Sequence, residues 1–222
     1  INYDWRLNPL AVADTINEYV ERACRETGSE KVNIVCASMG GVMTVAYLSK
    51  YSADRVNKCV FLSSTFYGTY VVSDLLQGNI RVGGTELKNF VNTYLGENKT
   101  LSPVLKLLDK AGIWDNVARF ADKFLNKYKD MIYDKVLKDV FGNMPSLWAL
   151  VLPEDYEACK EFMFGGKKEE YAGIIGIADE LQKMMAKRDD MLKAAVAGGM
   201  DICVVANYGR QVIPIYDRAY QN

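Results

Sequence analysis

Apolar and polar positions follow two rhythms along the first third of the chain. From residue 9 to residue 28, Ala13, Ile16, Val20, Ala23 and Cys24 recur at three- and four-residue spacing, while Glu18, Glu21, Arg22 and Arg25 fall on the other side. This predicts a helix with one buried stripe. Asn8-Pro9 is a good start for it, since the Asn side chain can accept from amides that lack an intrahelical partner and Pro needs no donor at the first helical position. Gly28 is the expected stop. Val32-Asn33-Ile34-Val35-Cys36 then reads as a short strand, Gly40 to Tyr51 as a second helix with Val42, Val45, Ala46 and Leu48 apolar, and Lys58 to Leu62 as another strand. Helix, strand, helix, strand predicts a parallel sheet in an α/β fold.

From about Thr85 to Gly199 helical periodicity replaces strands. Val117, Phe120, Ala121, Phe124, Tyr128, Met131, Ile132 and Val136 keep helical spacing within Trp114 to Phe141, and Glu169 to Val196 forms a second long helical stretch. Pro145 and Pro153 break the segment between them. Strand character returns at Asp201 to Asn207. The expected organisation is a core over residues 1–84, a helical cap or lid inserted over 85–199, and a return to the core sheet over 200–222. The chain opens on Ile1 and stops at Gln221-Asn222 shortly after a strand, so truncation at both ends is expected.

Charge and composition narrow the function classes. Lys and Arg number 27 against 28 Asp and Glu, evenly mixed, for a net charge of −1. No basic face is available to a phosphate backbone, and nucleic acid is not an expected partner. No apolar run approaches the roughly 20 residues of a membrane-spanning helix, so no transmembrane segment is predicted. The five cysteines, at 24, 36, 59, 159 and 203, form no CxxC pair and read as small core residues. With no histidine in the sequence, neither a structural metal nor a cofactor is predicted. Trp114, Phe120, Phe124, Trp148, Phe162 and Phe164 suit either helix-on-helix packing or the lining of an acyl-chain pocket.

The run Val32 to Gly41, VNIVCASMGG, carries the main chemical signal. It sets Ser38 between an apolar strand and a helix-opening Gly-Gly. A nucleophilic serine at the tip of a sharp strand-to-helix turn projects its hydroxyl above the sheet, and small residues two positions to either side permit the turn. Gly40 meets that requirement downstream, with Gly41 next to it, and Cys36 holds the upstream position where glycine is usual. The Met39 amide would open the helix and point at the oxygen that becomes negative on attack, forming half of an oxyanion hole. The alternative is an ordinary tight turn of a nucleotide-binding fold, although GxGxxG and Walker patterns are absent.

Taken together, Tyr3-Asp4-Trp5-Arg6, the Ser38 turn and Ser63-Ser64-Thr65-Phe66-Tyr67-Gly68 resemble the lecithin:cholesterol acyltransferase-like and lipase families of α/β-hydrolases. Their counterparts there are a YDWR-like tetrapeptide, a G-H-S-M-G-G elbow and a T-P-x-x-G-like turn after the next strand. Met144-Pro145-Ser146-Leu147-Trp148-Ala149-Leu150 with Pro153 is similar to the family's P-S-L-x-x-L-x-P segment. The resemblance implies an α/β-hydrolase fold and a serine esterase, lipase or O-acyltransferase acting on a small-molecule or lipid ester through an acyl-serine, with lipid-surface contact through the cap. Cys36 and Ala37 stand where Gly and His are usual, and Ser64 to Phe66 lacks the usual proline. The family's acid and histidine follow the strand at Asp201 to Asn207, which makes Asp217 the one acid candidate present and places the histidine beyond Asn222. Asp4 and Arg6 are expected to tie down the end of a strand. The competing class is a catalytically inactive α/β-hydrolase-like binding or scaffold protein, favoured by the missing histidine.

Overall fold

A computed structural model describes residues 1–79, 81–96 and 101–208. Helix α1 (Pro9–Thr27) starts where Asn8 Oδ1 accepts from the Leu10 amide at 3.0 Å and stops at Gly28, whose φ of 69° suits a residue without a Cβ. It buries Val12, Ala13, Ile16, Val20 and Cys24; of the predicted stripe Ala23 is only half-buried, and Val12 joins the buried set. Strand β1 (Val32–Ala37), helix α2 (Gly40–Tyr51) and strand β2 (Val56–Leu62) follow. The alternating burial of β1 puts Cys36 inside and leaves Val35 70% exposed.

The sheet is parallel, in the order β1, β2, β3, with β3 at Asp201–Val205. Cys36 pairs with Phe61 and Ala37 with Leu62 across β1 and β2, and Leu62 pairs with Val205 across β2 and β3. The three strands therefore end together, and the turns that leave β1 and β2 lie side by side. This is the α/β architecture expected from the order of periodicities.

Two compact units make up the chain. The first combines residues 1–77 with 138–206, and the second centres on 78–137. Within the first, α3 (Tyr70–Leu76) follows β2, and after α7 (Lys138–Phe141) come α8 (Pro145–Trp148), α9 (Tyr156–Phe164), α10 (Ala172–Ala186) and α11 (Arg188–Ala197). Trp148, Phe164, Leu181 and Met185 join Val42, Val45 and Phe61 in one buried core. The Trp148 indole donates to Gly142 O at 2.8 Å, which satisfies the one polar atom of that side chain.

In the second unit α4 (Gly84–Leu95) and α5 (Ser102–Lys110) pack on α6 (Ile113–Ile132). Leu105 and Ala118 are buried there, whereas Val117, Phe120, Phe124 and Met131 remain exposed, Phe120 to 74%. Their spacing puts all four on one face of α6. Among the described residues no helix is long and apolar enough to cross a membrane.

Three expectations change. The stretch from Trp114 to Phe141 is not one α-helix, because a π-helical turn at Tyr133–Leu137 separates α6 from α7. Glu169 to Val196 is likewise two helices that meet at Lys187, with Asp189 and Asp190 placed to favour a new N-terminus in α11. Cys203 is exposed and not a core residue, since β3 is open along most of its length, while Cys24, Cys36, Cys59 and Cys159 are buried.

Candidate active site

Strand β1 ends at Ala37, and the chain reverses into α2 through Ser38, whose φ is +50°. A left-handed backbone at a residue with a Cβ costs of the order of 1 to 3 kcal/mol and persists only where its surroundings hold it. Four hydrogen bonds do so here. The Ser38 amide continues the sheet by donating to Leu62 O at 3.2 Å, while its carbonyl accepts from the Gly41 amide, the Thr65 amide and Ser64 Oγ, each at 3.1 Å. The Ser38 side chain is exposed. Met39 follows in helical backbone, φ −56° and ψ −23°, at the head of a helix that has no side-chain cap. With the Gly41 and Val42 amides donating to Ser38 O and Met39 O, the Met39 and Gly40 amides stand at the positive end of the helix.

The small residues of the motif serve different ends. A Cβ on Gly41 would overlap Ser64 Oγ and come within 3.1 Å of Phe66 Cβ, so glycine is what lets the next turn reach the Ser38 carbonyl. A Cβ on Gly40 would meet only Cys36 Cβ at 3.5 Å and Tyr3 Oη at 3.9 Å, which are ordinary contacts. Cysteine at 36 is therefore compatible with the turn. Its thiol donates to Val60 O at 3.5 Å. The neighbouring Cys59 thiol is pushed far up by the Cys36 thiol beside it and by burial, so it stays protonated. Burial, with a smaller contribution from Cys36, also raises the Tyr3 phenol.

The turn after β2 completes the site. Ser63 also has a positive φ, 43°, and its amide donates to Val205 O at 2.8 Å. Ser64 and Thr65 then reach the Ser38 carbonyl, and the Gly68 amide closes the turn on Thr65 O at 2.9 Å. Gly68 has a φ of 91° and lies so near Leu150 O that a Cβ would sit 2.9 Å from it. The absent proline has a direct consequence, since a proline at 65 could not donate the amide bond that Thr65 makes to Ser38. Thr65 Oγ1 is buried and has no hydrogen-bond partner among the described residues.

The other candidates stand apart from this cluster. Asp4 accepts from Arg6 through Oδ1, from the amide at 3.0 Å and from Nε at 2.9 Å, and through Oδ2 from Nη2 at 2.6 Å. These bonds hold the Asp4 carboxyl down to about 2. They close a local turn, with the Leu7 amide donating to Asp4 O at 3.2 Å. Asp217 lies outside the described residues. Sequence reasoning missed the clamp on the Ser38 carbonyl, although the Ser63–Gly68 motif marked its place, and it missed Arg188, which donates to Phe66 O at 3.4 Å from 122 residues away. No local pattern signals that contact.

Ser38 thus presents a hydroxyl on a tightly held strand-to-helix turn at the head of a helix, an arrangement suited to attack on an electrophile and to stabilising the charge that results. No curated protein and no solved structure matches the chain. A family model described as alpha/beta hydrolase fold matches residues 10–143, a span that contains β1, the Ser38 turn, α2 and β2. With more than half of its length in that match, the chain belongs to the α/β-hydrolase fold family.

Proposed function

We propose that the chain carries the nucleophile of a serine-dependent acyl-ester hydrolase or O-acyltransferase, with Ser38 attacking the acyl carbon and the Met39 amide receiving the developing charge. The observation that carries the reading is the left-handed, exposed Ser38 at a β1-to-α2 turn in an α/β-hydrolase chain. Ser38 Oγ forms a bond to the acyl carbon as its proton passes to a base, and the carbonyl oxygen becomes an oxyanion. A preorganised amide donor there is worth about 3 to 4 kcal/mol. Collapse breaks the bond to the alcohol, which leaves with the proton, and water or a second alcohol then adds to the acyl-serine and frees Ser38. The 222 residues hold no histidine, so an imidazole base would come from outside them.

A lipid ester is the substrate class this proposal favours. Helix α6 exposes Val117, Phe120, Phe124 and Met131 on one face, with exposed Lys123 and Lys127 nearby, a pattern suited to acyl chains or a lipid surface. Only part of the stretch 85–199 enters the proposal, through this helix, because residues 138–199 belong to the same unit as the sheet. Replacing Phe120 and Phe124 together with Ser should weaken binding to phosphatidylcholine vesicles at least threefold in a sedimentation assay, and unchanged binding would remove the lipid part of the reading.

The missing histidine favours a second reading, a catalytically inactive binding or scaffold protein on the same fold. Treating the full-length protein with a fluorophosphonate and locating the adduct by peptide mass spectrometry separates the two. The first reading expects phosphonylation of Ser38 and its loss in Ser38→Ala. A native protein that stays unlabelled supports the second.

A further inference from the structure

Arg188 opens α11 and is 7% exposed, an unusual place for a guanidinium far along the chain from the candidate site. Its Nε donates to Asp189 Oδ1 at 2.9 Å, and its Nη1 to Phe66 O at 3.4 Å. The guanidinium carbon lies 3.6 Å from the centre of the Tyr67 ring, a cation–π stack. Hydrogen bonds from Arg188 first, and then from Tyr67, lower the Asp189 carboxyl, which therefore stays ionised between them. The Phe66 ring packs on Phe61, with centroids 4.4 Å apart. Phe66 and Tyr67 directly follow Ser64 and Thr65, the two residues that hold the Ser38 carbonyl.

We infer that Arg188, seated by Asp189, is a positioning residue for Ser38, locking the Ser63–Gly68 turn against the Ser38 carbonyl and so maintaining the nucleophile's left-handed backbone. The inference rests on the proposed role of Ser38. A guanidinium suits the task because its planar fork can bond a carbonyl and a carboxylate while its face stacks on an aromatic ring; an ammonium would supply the charge without the stack or the fork. The pair acts through the turn and touches neither Ser38 nor a substrate. Two of its partners, Asp189 and Tyr67, are exposed in part, so the lock is open to adjustment from the surface.

The test compares wild-type, Arg188→Met and Asp189→Asn full-length protein by two readouts, amide hydrogen exchange at Thr65 and the rate of Ser38 phosphonylation by a fluorophosphonate. Thr65 exchange is expected to rise at least tenfold in Arg188→Met and about threefold in Asp189→Asn, with exchange in β1 and α2 unchanged and labelling slowed in the same order. For a short-chain ester, kcat should fall while KM stays within twofold; partial unfolding would lower the apparent kcat in the same way, and the unchanged exchange in β1 and α2 is what separates the two. If Arg188→Met fails to fold, Asp189→Asn, altered at a half-exposed side chain, decides the matter. Unchanged Thr65 exchange in a folded variant overturns the inference. Wild-type protein that never labels at Ser38 while Thr65 exchange responds as expected would refute the nucleophile reading and leave the lock standing as a structural device only.

Discussion

Strands β1 and β2 are each followed directly by a serine with positive φ, 50° at Ser38 and 43° at Ser63, yet the chain continues differently from each. After Ser38 it enters α2 within two residues, and the head of that helix has no side-chain cap. After Ser63 it makes a compact turn whose amide and hydroxyl donors, on Thr65 and Ser64, are directed at the Ser38 carbonyl. One turn presents a hydroxyl and the other secures it. Backbone strain at a serine is therefore a poor guide to chemistry by itself, and the path of the chain beyond the serine decides its use.

Substitutions at the three glycines probe this division of labour. The largest effect is expected from Gly41→Ala, whose new methyl would displace Ser64 and crowd Phe66. Overpacking of this kind costs roughly 1 to 3 kcal/mol, and displacement of a reacting group by about an ångström can cost on the order of a hundredfold in rate. Fluorophosphonate labelling of Ser38 should fall about a hundredfold by that measure. Gly68→Ala comes next. Its φ of 91° and the nearby Leu150 carbonyl point to roughly 1 to 3 kcal/mol of lost stability in a urea titration, with a smaller loss of labelling because Ser64 and Thr65 precede the strained position.

Gly40→Ala should have the smallest effect. Only ordinary contacts await its methyl, and alanine is favoured over glycine in helices by up to about 1 kcal/mol, so stability should be unchanged or slightly raised and labelling should stay within about threefold. A collapse of activity at Gly40 with little response at Gly41 would reverse the assignment of the two glycines.

The contrast between the two turns also marks how far the sequence can be read. Helix α1, with Asn8 and Gly28 at its ends, β1, α2 and β2 are legible because capping residues and hydrophobic periods are local properties. The Ser38 turn is legible for the same reason, being a strand, a serine and two glycines in succession. The bonds from Ser64 and Thr65 to Ser38 are not, since they form only when β1 and β2 pair in the register that sets Ala37 beside Leu62. Arg188 is further out of reach, for its contact with Phe66 depends on how α11 packs. The break between α10 and α11 escapes notice in the sequence because no proline or glycine marks Lys187, where the two helices meet. Cys203 misleads because an apolar strand sequence does not reveal whether a neighbouring layer covers it.

Fluorophosphonate labelling of the full-length protein beside its Ser38→Ala and Ser63→Ala variants tests the central claim most directly. The account predicts an adduct on Ser38 in the wild type, none in Ser38→Ala, and one retained within about threefold in Ser63→Ala, since that substitution keeps the amide bond from residue 63 to Val205 O. An adduct on Ser63, or a wild-type protein that stays unlabelled while an active hydrolase in the same tube is modified, would contradict it.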